Sequence, residues 1–284
     1  MAELLKGAPV AAAITEELAA RAQALRESGT VPTLALLRIG QRAEDLAYER
    51  GARSRCAKVG IEIREFFLSE DYRREELVEA IRTINGDPTI HGCLMFRPLA
   101  SREDERMACD LLAPEKDMDC MTDRSLAALV AGREGYPPCT AQACIELLDY
   151  YGISLRGKRV TVVGRSMVIG KPVSLLAQSR DATVTVCHRK TVDVAAECRR
   201  ADIVIAAAGE AGLLGAEHLR EGQIVLDVGM NVGADGALCG DVQFGAAEAI
   251  VSAITPVPGG IGNVTTSVLA KHVILAAEKA AAEK

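Results

Sequence analysis

A strand, a glycine turn and a helix start follow one another between Arg159 and Pro172, and this segment is well suited to hold a phosphate. It reads RVTVVGRSMVIGKP: an apolar strand runs into Gly164, and Gly170 follows six residues later. A turn of this kind places a pyrophosphate at a helix N-terminus, where unpaired N–H groups and the helix dipole favour anions. Ser166 stands where the strict G-x-G-x-x-G pattern has its second glycine. The alternative is a tight turn that uses glycine without binding a ligand.

The residues after the next predicted strand indicate which dinucleotide the segment would bind. In Rossmann folds this strand usually ends in Asp or Glu, which binds the adenosine ribose diol. Here the strand TVTVC is followed by His188, Arg189 and Lys190. No carboxylate is present to repel a 2′-phosphate, and these two cations, together with Arg165, would attract one, which favours NADP over NAD. The alternative is that Arg189 and Lys190 are ordinary surface charges.

Three later segments offer small or rigid backbone beside such a ligand. One strand ends in three alanines and Gly209, the next ends at residues 227–231, and residues 255–262 form a loop of prolines and glycines. That loop is either a fixed wall near a ligand or a connector. The predicted cofactor-binding residues are therefore Gly164, Arg165, Ser166, Gly170, Lys171, Pro172, His188, Arg189, Lys190, Gly209 and Asn231.

Hydrophobic periodicity places these segments in an alternating series of strands and helices. Strands are predicted at 33–39, 61–68 and 91–96, with helices at 9–27, 43–58 and 75–85. After a break at 137–140, a helix at 141–151 starts a second series, with strands at 159–163, 183–187, 203–207 and 224–228 and a last helix at 264–284. The alternation predicts an α/β fold in which helices cover parallel sheets, and the chain length indicates two domains.

Composition excludes several classes of function. The 284 residues carry a net charge of −6, which argues against nucleic acid as a partner, and no apolar run is long enough for a membrane span. The N-terminus has no secretory pattern, so the expected compartment is the reducing cytoplasm. The nine cysteines contain no C-x-x-C pair and the four histidines are separated, so no metal site is expected.

Further motifs stand in a fixed order along nearly the whole chain. They are Gly40, Tyr48 and Gly60-Ile61; Glu115 to Asp119; Pro138-Cys139-Thr140; Gly164-Arg165-Ser166 with Gly170-Lys171-Pro172; Asp227-Val228-Gly229 with Asn231; Gly240-Asp241-Val242; and Thr255 to Gly260. In this order they resemble the methylenetetrahydrofolate dehydrogenase/cyclohydrolase family, the FolD type.

The resemblance implies two α/β domains, the C-terminal one a Rossmann-type parallel sheet, with a folate cleft between them. It implies a catalytic domain of residues 1–140 plus the C-terminal helix 263–284, an NADP-binding domain of residues 141–262, and a homodimer. The implied reaction is the NADP-dependent oxidation of 5,10-methylenetetrahydrofolate to the 5,10-methenyl form, which many members then hydrate to 10-formyltetrahydrofolate. The implied catalytic residues are Tyr48 and Asp119, and the implied substrate-binding residues are Tyr48, Asp119, Pro258, Gly259 and Gly260.

Two departures from the family pattern affect the chemistry. Hydride transfer needs mainly orientation, whereas hydration needs an acid/base pair, for which the family uses a lysine tuned by the tyrosine and a glutamine. The lysine position is Ala52 here, and the glutamine position is Phe96. Neither side chain can transfer a proton, so cyclohydrolase activity is predicted to be weak or absent.

Other residues leave alternatives open. Asp45 and Cys120 stand where the family has a serine and a glycine. Arg97 either reaches the cleft or is a solvated loop residue, and Asp119 either binds the pterin or forms a helix cap or a salt bridge with Lys116. For the whole chain, the alternatives are a family paralogue acting on another pterin or one-carbon substrate, and a non-catalytic nucleotide- or folate-binding subunit.

Overall fold

Ten α-helices lie in the part of the chain that the computed structural model describes, residues 1–233 and 236–283. They are α1 (Gly7–Glu27), α2 (Ala43–Val59), α3 (Arg74–Gly86), α4 (Arg102–Leu111), α5 (Asp123–Val130), α6 (Cys139–Tyr150), α7 (Gly170–Gln178), α8 (Val194–Arg200), α9 (Phe244–Glu248) and α10 (Gly262–Ala282). Lys284, the last residue of the predicted final helix, lies outside the described residues.

The same residues contain eleven strands. They are β1 (Glu3–Leu4), β2 (Thr33–Ile39), β3 (Glu62–Leu68), β4 (Gly92–Met95), β5 (Arg159–Val163), β6 (Thr183–Cys187), β7 (Ile203–Ala206), β8 (Ile224–Asp227), β9 (Asn231–Val232), β10 (Leu238–Cys239) and β11 (Ala253–Ile254). Seven of them occupy the predicted positions, and the predicted α/β fold class is confirmed. None of the helices in the described part of the chain is both long and apolar enough to cross a membrane.

The N-terminal unit comprises Ala13–Cys139 and the chain from Thr266 onward. Its parallel sheet has the strand order β3-β2-β4. The central strand β2 reads TLALLRI without polar alternation and is almost entirely buried, as expected of a strand covered on both faces. Helix α2 follows β2 and carries Tyr48 and Ala52, while Phe96 follows directly after β4. Parallel strands thus bring these two chain segments to the same edge of the sheet.

The C-terminal unit comprises Met1–Ala12 and Thr140–Thr265. Its six parallel strands have the order β1-β11-β8-β7-β5-β6. The chain runs from β5 outward to β6 and then returns to the other side of β5 for β7. In open α/β sheets, ligands bind outside the carboxyl ends of the strands at such a reversal of strand order. The glycine turn at residues 164–170 begins at this reversal, directly after β5.

The first twelve residues lie in the C-terminal unit, whereas the sequence placed residues 1–140 in the other domain. The physical reason is that β1 adds to the edge of the six-stranded sheet, where Glu3 pairs with Ala253 in parallel register. The N–H of Gly7 then donates to the carbonyl oxygen of Gly259 over 2.8 Å. A two-residue strand shows no periodicity in the sequence, so this pairing could not be predicted.

Candidate active site and cofactor pocket

The turn after β5 requires glycine at two positions. Gly164 has φ +132°, and a Cβ atom there would lie well inside van der Waals contact with the carbonyl oxygen of Ala207. A Cβ atom on Gly170 would collide in the same way with the carbonyl oxygen of Gly164. The turn therefore brings the ends of β5 and β7 and the start of α7 closer together than any other residue permits.

Ser166 organises the start of α7. Its hydroxyl oxygen accepts hydrogen bonds from the N–H groups of Ile169 and Gly170 over 3.1 and 3.3 Å, and its carbonyl oxygen accepts from Lys171 over 3.0 Å. The sequence predicts that the N–H groups at this helix start bind a pyrophosphate. Three of them already have acceptors within the chain, so a phosphate at this turn would meet the exposed side chains of Arg165 and Ser166.

A cavity of about 390 Å³ lies beside the turn within the C-terminal unit. It is lined by Val163, Gly164, Arg165, Ser166, His188, Arg189, Val194, Ala207, Ala208, Glu210, Leu213 and His218. Five of the eleven predicted cofactor-binding residues are among these. The other six are not: Gly170, Lys171, Pro172, Lys190, Gly209 and Asn231.

The loop after β6 presents its basic residues at this cavity. The N–H of His188 donates to Thr191 Oγ1 over 2.9 Å, and the N–H of Lys190 donates to His188 Nδ1 over 3.1 Å, so the loop is tightly bent. The guanidinium of Arg189 is largely exposed and lies 3.7 Å from a carboxylate oxygen of Glu210. Glu210 follows β7, far from Arg189 in sequence, and was not among the predicted site residues.

Two buried aspartates, Asp227 and Asp241, connect the loops behind the cavity. Asp227 accepts from the N–H groups of Gly229, Asp241 and Val242, each over 3.0 Å. Burial raises the pKa of the Asp227 carboxyl to about 6, although the three N–H donors act in the opposite direction. In the sequence these aspartates stand out only as members of motifs, with no function predicted for either.

Gly209 and Asn231, two of the predicted cofactor-binding residues, donate hydrogen bonds to Asp241. The Gly209 N–H donates to Asp241 Oδ2 over 3.0 Å, and Asn231 Nδ2 donates to Oδ1 over 2.9 Å. Both residues support the loops around the cavity without lining it, and cofactor binding by either one stays a prediction.

The loop of prolines and glycines is closely packed within the C-terminal unit. A Cβ atom on Gly260 would collide with the carbonyl oxygen of Pro256, and Gly259 accepts the hydrogen bond from Gly7. Pro258 is exposed, and the peptide bond before it is cis. The close packing fits the predicted fixed wall, and substrate binding by Pro258, Gly259 and Gly260 stays a prediction.

In the N-terminal unit, Tyr48, Ala52 and Phe96 lie close to one another in an apolar environment. The rings of Tyr48 and Phe96 are edge to face, with centroids 6.3 Å apart and an interplanar angle of 76°. Ala52 is 0% exposed and Phe96 is 5% exposed. Burial, and after it the neighbouring Cys139 and Asp119, raise the pKa of the Tyr48 phenol well above its ordinary value. The phenol is therefore neutral at physiological pH.

Asp119 is half-buried near the same tyrosine. One carboxylate oxygen accepts from the N–H of Cys139 over 2.7 Å, and burial raises the pKa of this carboxyl. This hydrogen bond caps helix α6, because Cys139 is the first residue of that helix. The helix-cap alternative is therefore supported, and pterin binding by Asp119 stays a prediction. Lys116 donates to the carbonyl oxygens of Asn85 and Asp87 over 3.0 and 2.7 Å and not to Asp119.

Asp45 and Arg97, the other open positions, both have ion-pair partners. Asp45 is buried, and its Oδ2 lies 2.7 Å from the guanidinium of Arg42, which directly precedes helix α2 and compensates the charge. Arg97 lies 3.5 Å from Glu105, and its charge contributes to lowering the pKa of Asp119 against the effect of burial. Arg97 thus favours the ionised form of Asp119, and it is not a fully solvated loop residue. Among residues 1–233 and 236–283, no group of three His, Cys, Asp or Glu is arranged to hold a metal ion.

A parallel sheet that reverses its order at a glycine turn, beside a cavity with basic residues, defines a dinucleotide-binding α/β protein. Residues 138–281 match the family model described as tetrahydrofolate dehydrogenase/cyclohydrolase, NAD(P)-binding domain. Residues 5–119 match the catalytic domain of the same name. The chain belongs to the tetrahydrofolate dehydrogenase/cyclohydrolase family, which confirms the resemblance found in the sequence, and its C-terminal part is an NAD(P)-binding domain, as the predicted NADP cofactor requires.

Known relatives cover almost the whole chain. The bifunctional protein FolD of Alkaliphilus oremlandii is 47% identical over 279 residues, which is 97% of each chain. The crystal structure of the bifunctional FolD enzyme from Campylobacter jejuni has a TM-score of 0.94 at 34% identity, covering 98% of this chain and 99% of that one. The Trypanosoma brucei enzyme, complexed with NADP and an inhibitor, has a TM-score of 0.90 at 35% identity and covers 98% of each chain.

Proposed function

We propose that this protein is an NADP-dependent 5,10-methylenetetrahydrofolate dehydrogenase whose methenyltetrahydrofolate cyclohydrolase activity is weak or absent. Family membership and the names of the relatives support the dehydrogenase. The observation that carries the second part is the buried apolar pair Ala52 and Phe96 beside Tyr48.

Oxidation of the substrate requires orientation more than acid/base chemistry. The nitrogen lone pair next to the methylene carbon expels a hydride, and the bound nicotinamide supplies the acceptor. Asp119 is placed to accept hydrogen bonds from a pterin N–H and amino group, since it is half-buried and held by Cys139. Tyr48 offers a neutral phenol to stack on the folate or to bond it. These residues orient the folate, which is the main requirement for hydride transfer.

Hydration of the methenyl product requires a group that activates water and a group that protonates the leaving nitrogen. A methyl group and a phenyl ring occupy the two positions concerned, and the Tyr48 pKa is too high for the phenol to act as a base. The product of oxidation should therefore accumulate. General acid/base catalysis typically contributes about 10²- to 10⁴-fold, so we expect a loss of about that size.

The basic residues around the cavity support NADP over NAD. Arg165 and Arg189 line the cavity and Lys190 follows in the same bent loop. The glycine turn allows a ligand to approach the backbone there. The cations would attract an adenosine 2′-phosphate, while Glu210, which lines the same cavity 3.7 Å from Arg189, would oppose it; the basic residues outnumber this one carboxylate. A homodimer and a cytoplasmic location, which the sequence also predicted, complete the proposal; nine free thiols agree with a reducing compartment.

The test is to supply the protein with methylenetetrahydrofolate and either NADP or NAD, and to follow reduced cofactor and methenyl product separately. We expect reduction with NADP preferred and a persistent methenyl product. Hydrolysis of the methenyl product as fast as its formation would refute the second part of the proposal. Cofactor binding without turnover would favour a paralogue with another substrate or a non-catalytic subunit.

A matched pair of variants tests the cause of the loss. The double variant Ala52→Lys with Phe96→Gln should raise methenyl hydrolysis by about tenfold or more, because it restores a proton-transfer pair. Ala47→Lys adds the same charge at an exposed position of α2 and should not change hydrolysis. Dehydrogenase activity, measured in each variant, reports whether the protein is folded. An intact dehydrogenase without gain in hydrolysis would show that further groups have been lost.

A further inference from the structure

The loop after β7 surrounds a carboxylate that belongs to the chain itself. The N–H groups of Ala208 and Gly209 donate to Asp241 Oδ2 over 2.6 and 3.0 Å, and the N–H of Glu210 donates to Oδ1 over 3.0 Å. Three successive N–H groups pointing at one anion form the kind of concave site that binds phosphates in other proteins. Here the site is filled from within the chain, by a residue about thirty positions further on.

The Asp241 carboxylate is 0% exposed, and the donors around it are neutral groups. Asn231 Nδ2 supplies a further hydrogen bond over 2.9 Å, and the N–H of Asp241 itself donates to Asp227 over 3.0 Å. A buried charge is tolerated only where such bonds replace its hydration, so these groups must keep their positions relative to Asp241. The aspartate thereby ties together three loops that follow β7, β8 and β10.

Of these three loops, the one after β7 forms a wall of the cofactor cavity. Ala207, Ala208 and Glu210 line the cavity, and Ala208 also packs against the apolar core of the unit, so Asp241 and this contact together hold the loop. The glycine turn at Gly164 approaches the carbonyl oxygen of Ala207, so a shift of this wall would also move the turn. Gly229 packs against Asp241 so closely that a Cβ atom would overlap the carboxylate.

We infer that Asp241 is a positioning residue for the dinucleotide: it touches no ligand, but its carboxylate holds the loop 207–210 in the shape that the cofactor requires. The inference rests on the proposed function, because it concerns the same NADP site. It predicts that loss of the carboxylate weakens cofactor binding and leaves the chemistry of the bound complex intact.

Asp241→Asn separates this function from a general effect on stability. The amide keeps the size of the side chain but directs an NH₂ group at N–H donors, so the loop must rearrange. We expect the Kd for NADP, measured by calorimetry without folate, to rise about tenfold or more, the size of effect that loss of buried hydrogen bonds produces. At saturating NADP, kcat and the KM for methylenetetrahydrofolate should stay within about threefold of the wild type.

The matched control is Asp202→Asn. Asp202 lies in the same unit and also accepts a backbone hydrogen bond, from Arg159 over 2.9 Å, but it does not line the cavity. Its variant should bind NADP like the wild type. Asn231→Ala removes one neutral donor and leaves the charge in place, so it should raise the Kd by about two- to fivefold even if Asp241→Asn does not fold.

The results of these binding measurements distinguish the inference about Asp241 from the proposed function. Folded Asp241→Asn with an unchanged Kd, or Asp202→Asn with an equal rise, would overturn the inference about Asp241 alone. If Asp241→Asn does not fold, an unchanged Kd in Asn231→Ala would overturn it. Failure of the wild-type protein to bind NADP would refute the proposed function, and the inference with it.

Discussion

Asp227 and Asp241 are residues of the same type that lie in different surroundings. Asp241 receives four hydrogen bonds at its carboxylate, whereas Asp227 receives three and lies beside the charge of Asp241. For Asp227, burial outweighs the three N–H donors, and the negative charge of Asp241 acts in the same direction as burial. The pKa of Asp227 is consequently raised, and the stability of the protein depends on its protonation.

The raised pKa predicts a pH dependence of a definite sign. In the unfolded chain the Asp227 carboxyl has its ordinary pKa of 3.8, and in the folded protein its pKa is about 6. Between these values the folded protein binds more protons at this site, so Asp227 lowers the unfolding free energy as pH rises through this range, by on the order of 3 kcal/mol. Below pH 3.8 the stabilising contribution of the neutral carboxyl is fully present.

Comparison with Asp227→Asn isolates this contribution, since the other titratable residues are the same in both proteins. The variant should be less stable than the wild type, and the difference should shrink between pH 4 and pH 7. Urea unfolding across this range measures it. A difference that is constant or grows with pH would contradict the raised pKa.

At the scale of elements, the turn before α7 depends on the absence of a side chain. Gly170→Ala places a methyl group against the Gly164 carbonyl. We expect an unfolding free energy lower by about 1–3 kcal/mol and weak NADP binding, because the backbone must move apart at the cavity.

Gly245→Ala provides the control for this prediction. Gly245 is exposed in helix α9, and no atom lies within 4 Å of the added methyl group. Alanine there should leave the stability unchanged or raise it by about 0.5–1 kcal/mol. Denaturant unfolding of both variants, with NADP titration, provides the comparison; equal effects in the two variants would show that close packing at Gly170 is unimportant.

The sequence predicted elements whose signal is local. The apolar strands β2, β5 and β6 have the predicted bounds, and the glycine turn was recognised with its residues. Helix α4 was missed because it is rich in charge and buries little, although Ser101 and Asp104 form an N-terminal capping pattern that could have revealed it. The two-residue strands β1, β9, β10 and β11 carry no usable periodicity.

The residues of the candidate site also divide into those with a local sequence signal and those without one. Gly164, His188 and Arg189 were found because each stands next to the strand that positions it. Glu210 and Asp241 were missed because their partners are distant in sequence, and only the sheet order brings those loops together. The sequence pattern therefore predicted the residues that line the cavity better than the residues that hold its loops in place.

At the scale of the whole molecule, the two ends of the chain are exchanged between the units. The first twelve residues belong to the C-terminal unit, and the chain from Thr266 onward belongs to the N-terminal unit. Leu5 follows β1, is 0% exposed, and its N–H donates to the carbonyl oxygen of Ile254 over 2.9 Å. It therefore fastens the N-terminus to the six-stranded sheet. The stability of the C-terminal unit should depend on these first residues.

Leu5→Ala tests this dependence. Removal of a fully buried leucine side chain should lower the unfolding free energy by about 2–5 kcal/mol, and hydrogen exchange should speed up at β11. Leu275→Ala, at a leucine of α10 that is 37% exposed, should cost clearly less. Unchanged exchange at β11 in Leu5→Ala would show that the N-terminus is not part of the sheet's stability.

Helix α10 determines when the N-terminal unit can fold during synthesis of the chain. The N-terminal unit is made first, yet it includes the chain from Thr266 onward, where Glu278 binds Arg21 through two hydrogen bonds of 2.8 and 2.6 Å and His272 lies 2.9 Å from the carbonyl oxygen of Met118. Domains normally fold in the order in which the ribosome produces them. Because α10 belongs to this unit, the earlier unit can complete its fold only after α10 has been synthesised.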